Sequence, residues 1–189
     1  MAVLSGELRA KADEIVARYP DTRSAMMPLL YLVQSVEGHV SREGMQEVAD
    51  VLGLRTAEVE AVATFYTMIR KAETGKWLIS VCTNLSCALL GARRLYERAA
   101  EELGPNAAHG ATEDGRFSLH EEECLGACEA APVIQLNFMN YDRMTEERLV
   151  DLIEACRRDE PPAASRGGVP SPFTTTSRIL AGFGEAADG

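Results

Sequence analysis

No stretch of this sequence is apolar for long enough to cross a bilayer. The longest, at 29–33, falls far short of the roughly 20 residues that a spanning helix requires. The opening MAVLSGELRAKADE has no apolar core of signal-peptide length, so neither membrane insertion nor export is expected. Positive charge is scarce: 19 Lys and Arg stand against 29 Asp and Glu, for a net charge of −10. A phosphate backbone needs clustered cations, which excludes nucleic acid as a partner. Histidine is rarer still. His39, His109 and His120 show no ligand spacing, and a Rieske centre would need two of them in place of two cysteines. Nucleotide-binding signals are missing too. There is no Walker loop, and the one Rossmann-like match, GFGEAA at 182–187, has no strand before it and no acidic residue about 20 positions on, so it is read as chance.

What remains is an ordinary globular composition, 46% hydrophobic and 25% charged, with no internal repeat. Its 189 residues suffice for one domain or two small ones. Residues 1–75 read as a helical bundle. A charged amphipathic stretch at 7–19 stops at Pro20, and a second helix follows Asp21 or Ser24, with Pro28 tolerated in its first turn. Ser41 is an N-cap ahead of Met45, Val48, Ala49 and Leu52, which recur at helical spacing before Gly53 ends the run. Thr56 is expected to cap a fourth helix carrying Val59, Val62, Ala63 and Tyr66. From 76 to 158 the pattern changes. WLISVC at 77–82 is a strand, 88–103 a helix closed by Gly104 and Pro105, and 116–122 an alternating strand. Segments 133–137 and 141–144 form a hairpin around 138–140. Thr145 then caps a helix with acidic residues in its first turn and arginines in its last. The order β-α-β-β-β-α implies an α+β class with a four-stranded mixed sheet flanked by helices. Residues 159–189 shift to Pro, Ala, Ser, Gly and Thr, the composition of a flexible tail, with 179–183 as a docking segment for a partner.

Five cysteines in a chain without an export signal are more often ligands or reactive thiols than disulfides, which points inside the cell. Four of them are spaced C-x4-C and C-x3-C, with 36 residues between the pairs. Strands joined through a helix are normally parallel, so Cys82 at the end of one and Cys124 just past the other leave the sheet at the same carboxyl edge. Cys87 precedes a helix N-terminus, where backbone N–H groups favour thiolate. Zinc fits both spacings, and so does [2Fe–2S]; spacing leaves the two level. A dithiol enzyme would use C-x-x-C instead. Gly126 and Ala127 leave backbone N–H groups uncovered within reach of sulfur, although a simple tight turn explains them equally well. Glu121, Glu122, Glu123 and Glu129 crowd the second pair. They read as a solvated face, and negative charge close to a cluster disfavours its reduction. The fifth cysteine, Cys156, shares a helix face with Leu149, Leu152 and Ile153 and is read as a buried thiol.

VCTNLSCALLGA (81–92) and EECLGACEAAPVIQLN (122–137) resemble the two ligand motifs of the 24 kDa [2Fe–2S] subunit family of respiratory complex I, the NADH–quinone oxidoreductase. MMPLLYLVQ (26–34), VATFYT (62–67) and GKWLISVC (75–82) are similar to the same family. The resemblance implies that Cys82, Cys87, Cys124 and Cys128 hold one [2Fe–2S] cluster. It implies a helical bundle followed by a thioredoxin-like ferredoxin domain, with Pro132 at the position where such folds often carry a cis-proline. It also implies partners: a flavoprotein subunit that binds NADH and FMN and exchanges electrons with the cluster, and other peripheral-arm subunits. Through them the chain would lie in the cytoplasm at the inner side of the cell membrane. Related subunits serve NAD-linked hydrogenases and formate dehydrogenases, which are the alternative hosts. A structural zinc assembly module and a thiol–disulfide oxidoreductase remain as rival functions. The segment after Glu160 matches none of the family's features.

Overall fold

A computed structural model of the chain describes residues 3–184. Two compact units divide it: one runs Thr74–Phe173, and the other joins the chain up to Glu73 with the return segment from Thr174.

The helical unit contains α1 (Glu7–Ala17), α2 (Met26–Glu37), α3 (Arg42–Leu52) and α4 (Thr56–Phe65). α2 is its axis. Leu29, Leu30, Leu32 and Val33 are almost fully buried, as expected of a helix apolar on most of its circumference. Each such side chain contributes about 1.5–3 kcal/mol of burial. Asp21 accepts from the Arg23 N–H and starts a 3-10 turn that leads into α2, and Pro28 sits in the first turn of that helix. The Ser41 hydroxyl caps α3 by accepting from the Gly44 N–H at 2.9 Å. Thr56 does not cap α4. Arg55 holds that position, its N–H donating to the Glu58 carboxylate at 3.2 Å, while the Thr56 hydroxyl is bonded to Gln46.

The second unit is built on β1 (Trp77–Cys82), β2 (Phe117–Glu122), β3 (Ile134–Leu136) and β4 (Met139–Tyr141), in the order β2-β1-β3-β4. β1 is buried at every position, which accounts for its nearly unbroken apolar run. It pairs in parallel with β2 and antiparallel with β3, and β3 pairs antiparallel with β4. Between β1 and β2 the predicted single helix is two: α5 (Leu85–Leu89) and α6 (Ala92–Leu103). The break is Gly91, at φ 94°, a backbone state that glycine adopts without a Cβ clash. α6 and α7 (Glu146–Arg157) send Leu95, Ala99, Leu149, Leu152 and Ile153 into the core with the sheet residues. Thr145 caps α7 as expected, accepting from the Arg148 N–H.

The hairpin turns earlier than the sequence suggested. Asn137 and Phe138, at φ 47° and 72°, form a two-residue connection with the positive φ pair that suits strand twist. Asn137 is fully buried. Its Oδ1 accepts from the Leu78 N–H at 2.8 Å, and its Nδ2 donates to the Lys76 and Ser171 carbonyls at 3.0 and 2.8 Å.

The expectation of a flexible tail from 159 is corrected up to residue 184; residues 185–189, and with them part of GFGEAA, lie outside the described residues. Residues 159–173 form an arm on the sheet unit. The Tyr141 hydroxyl donates to the Pro162 carbonyl at 2.6 Å, and the Asp142 N–H donates to the Ser165 hydroxyl at 2.8 Å. Phe173 is fully buried, its ring 5.8 Å from that of Phe138. Phe173 also opens α8 (Phe173–Leu180), whose later residues belong to the helical unit. There buried Gln34 donates to the buried Ser177 hydroxyl at 3.1 Å, and the Phe183 ring lies 5.1 Å from the Arg18 guanidinium. Segment 179–183, expected to dock on a partner, makes these contacts within its own unit, with Ala181 buried there. A few apolar anchors among Pro, Ser and Gly order this segment.

Removing the Asn137 amide strands three backbone partners, of which the Leu78 N–H is buried. Asn137→Ala is expected to cost about 2–4 kcal/mol in urea unfolding, whereas the exposed Asn106→Ala should stay within about 0.5 kcal/mol.

Candidate metal centre

The register of β1 against β2 sets Cys82 opposite Glu122, two residues before Cys124. Both cysteine pairs accordingly emerge at one end of the parallel pair. Cys82 is the last residue of β1, and Cys87 lies inside α5 rather than ahead of a helix; the Asn84 side chain caps that short helix. Both are buried, at 3% and 2% exposure, while Cys124 and Cys128 lie exposed on the loop between β2 and β3. Among the described residues no three His, Cys, Asp or Glu side chains already stand together as a metal-binding group. Cys87 is hydrogen-bonded to Cys82 and senses the charge of Cys128; Cys124 lies on the solvent side of the loop.

Backbone groups reach these sulfurs. The Gly126 N–H donates to the Cys124 Sγ at 3.4 Å, with Gly126 at φ 67°. The Cys82 thiol points at the Glu123 carbonyl, 3.9 Å away. Val133 serves the inner pair twice: its carbonyl accepts from the Cys82 N–H at 3.2 Å, and its N–H bonds the Cys87 sulfur. The preceding Ala131–Pro132 peptide is cis. Burial pushes the Cys87 thiol up to about 11, the Val133 N–H opposes the shift, and the neighbouring Cys82 and Cys128 add to it. A metal or cluster binding at Cys87 would have to displace the thiol proton.

The acidic crowd is partly compensated. Glu121 accepts from the Thr83 hydroxyl at 2.6 Å, Glu122 pairs with His120 at 2.9 Å, and Glu129 meets Arg166 at 2.5 Å. The Arg166 guanidinium holds the Glu129 carboxyl below its ordinary range. Arg166 is a functional candidate that sequence reasoning misses. It belongs to the supposed tail, and no local pattern announces a pairing 37 residues apart. Cys156 is fully buried among the core side chains, as its helix face implied.

Residues 12–157 match the thioredoxin-like [2Fe-2S] ferredoxin family. The chain belongs to that family. The E subunit of the NADH-quinone oxidoreductase of Mycobacterium tuberculosis is 45% identical over 176 residues, 93% of this chain and 69% of that relative. NADH-quinone oxidoreductase subunit 2 of Thermus thermophilus is 41% identical over 148 residues, 77% of this chain and 81% of the relative. These homologues are subunits of an oxidoreductase complex. An NAD+-reducing [NiFe]-hydrogenase in its H2-reduced state shares the fold at a TM-score of 0.60 and 20% identity. The match covers 72% of this chain, which spans about a fifth, 22%, of the hydrogenase chain. The family match ends before the arm and Arg166.

Burial pushes the Cys156 thiol up to about 12 from an ordinary 9.0, with Asp159 adding and Arg116 opposing. A thiol whose pKa is raised on folding contributes stability below its unfolded pKa and loses it as pH rises toward the folded value. The unfolding free energy is expected to fall above about pH 9, and Cys156→Ala should flatten that decline. An equal slope in both proteins would remove Cys156 as its source.

Proposed function

We propose that this chain is an electron-transfer subunit of an NADH-oxidising complex of the NADH–quinone oxidoreductase type. In this reading Cys82, Cys87, Cys124 and Cys128 hold one [2Fe–2S] cluster, and electrons pass between it and the FMN of a partner flavoprotein subunit. The observation that supports the reading is that both cysteine pairs lie at the same end of the β1–β2 pair. The donor set fits the group: four soft sulfurs, backbone N–H groups directed at two of them, and no histidine among them. When bound, the cluster supplies one-electron acceptance and donation.

The chain's own residues divide the remaining work. Burial of Cys82 and Cys87 excludes water from the inner side, and the Gly126 and Val133 N–H groups stabilise negative charge on sulfur. Cys124 and Cys128 keep the outer side open to a partner. Leu85 and Leu89, 70% and 78% exposed, flank Cys87 on α5, an apolar surface where a flavoprotein would seat close to the sulfurs. The nicotinamide and flavin sites belong to that partner, and association with other peripheral-arm subunits would bring the chain to the cytoplasmic side of the membrane. Homologues named as subunits of NADH-quinone oxidoreductase favour the quinone-reducing complex as host over a hydrogenase or formate dehydrogenase.

The test is a visible and EPR spectrum of the anaerobically purified chain before and after dithionite, with iron, zinc and sulfide assays. Absorbance that bleaches, a reduced-state EPR signal, and about two irons and two sulfides per chain are expected. Each of Cys82→Ala, Cys87→Ala, Cys124→Ala and Cys128→Ala should remove or destabilise the cluster, while Cys156→Ala leaves it intact. Full cluster content in the Cys124→Ala protein would refute the ligand set, and a colourless protein with stoichiometric zinc would replace the reading by an assembly module.

A further inference from the structure

The arm of residues 159–173 does more than cover the edge of the sheet. Arg166 extends from it to the turn that carries Cys128. Its Nη2 lies 2.5 Å from Glu129 Oε1 and its Nε 3.4 Å from Asp142 Oδ2. Glu129 follows Cys128 directly, inside the 3-10 turn Cys128–Ala130. That turn is also tied by backbone to the residues after β4, since the Arg143 N–H donates to the Ala130 carbonyl at 2.8 Å. Asp142 is held to the arm through Ser165. One guanidinium thus bridges two carboxylates beside a cysteine.

We infer that Arg166 is a positioning residue for the metal centre: through Glu129 it compensates negative charge beside Cys128 and so raises the reduction potential of the cluster. The inference rests on the function proposed above. Its physical basis is simple. Reduction by dithionite adds one electron, and therefore one negative charge, to a site already made of four thiolates. An uncompensated carboxylate at the next residue opposes that charge, and a guanidinium against the carboxylate relieves the opposition. Arg166 and Glu129 are 49% and 66% exposed in their side chains, so the effect is moderate and weakens with salt. The sign of the effect identifies it. Loss of the cation and loss of the carboxylate must move the potential in opposite directions, which a merely structural role for either side chain would not produce.

The experiment is an EPR-monitored redox titration of the full chain with its cluster, at low and high ionic strength. It compares wild type with Arg166→Gln, Arg166→Lys, Glu129→Gln and the Arg166→Gln/Glu129→Gln double variant, and iron content is measured for each. Arg166→Gln is expected to lower the midpoint potential by a few-fold in the reduction equilibrium, within the roughly 59 mV that tenfold represents for one electron. Arg166→Lys should restore most of it, Glu129→Gln should raise it, and the double variant should return near wild type. All shifts should shrink at high salt. An unchanged potential in Arg166→Gln with normal iron content would overturn the inference while leaving the cluster reading intact. So would equal losses in Arg166→Gln and Arg166→Lys. A wild-type chain without the [2Fe–2S] signal would instead overturn the cluster reading, and the inference with it.

Discussion

Everything at the candidate site depends on one ladder of hydrogen bonds, the parallel pairing of Trp77–Cys82 with Phe117–Glu122. Parallel strands end at the same edge, so this pairing converts two cysteine motifs 36 residues apart into neighbours. The alternation of β2 fixes the register, because a slip of one residue would exchange the core-facing Phe117 and Leu119 for Ser118 and His120. The remaining structure serves that edge. α5 carries Cys87 over it, Val133 bonds the Cys82 N–H from β3's approach, and the β2–β3 loop holds the outer pair, Cys124 and Cys128, exposed.

The inner and outer cysteines sit in different media. Cys82 and Cys87 lie where charge is costly, and Cys124 and Cys128 where water or a partner can stabilise it. A site of this kind has an insulated back and an exposed front. At the front, Glu121 and Glu122 are hydrogen-bonded to Thr83 and His120, and Glu129 is paired with the Arg166 cation.

Much of this was legible in the sequence, for reasons that can be named. Ser41 and Thr145 announced their helices because caps are local chemistry. The strand–helix–strand order announced the parallel pair because crossover handedness and length leave few alternatives. Other features were hidden because their causes are not local. Gly91 breaks a stretch in which the neighbouring residues favour a continuous helix, and only the separate burial of Cys87 and Ala92 requires the break. The hairpin turn uses Phe138 at positive φ, against the preference for glycine there; Asn137 holds it through bonds to two other segments, the start of β1 and the arm. The arm has the composition of disorder, and Phe173, Ser177 and Ala181, each buried, were too few to announce order. Arg166 could not be found at all without the fold.

The return of α8 to the helical unit bears on the order in which the protein is made. Gln34 completes its hydrogen bonds only with Ser177, 143 residues later, whereas the sheet unit is contiguous from Thr74 to Phe173. Domains emerging from the ribosome fold as units once their sequence is available, and contacts of long sequence separation close late. The unit synthesised first is therefore the one completed last: its buried glutamine waits for the final stretch of chain while the cysteine-bearing unit already has all its parts. Premature termination anywhere in the arm would spoil the beginning of the protein as much as its end.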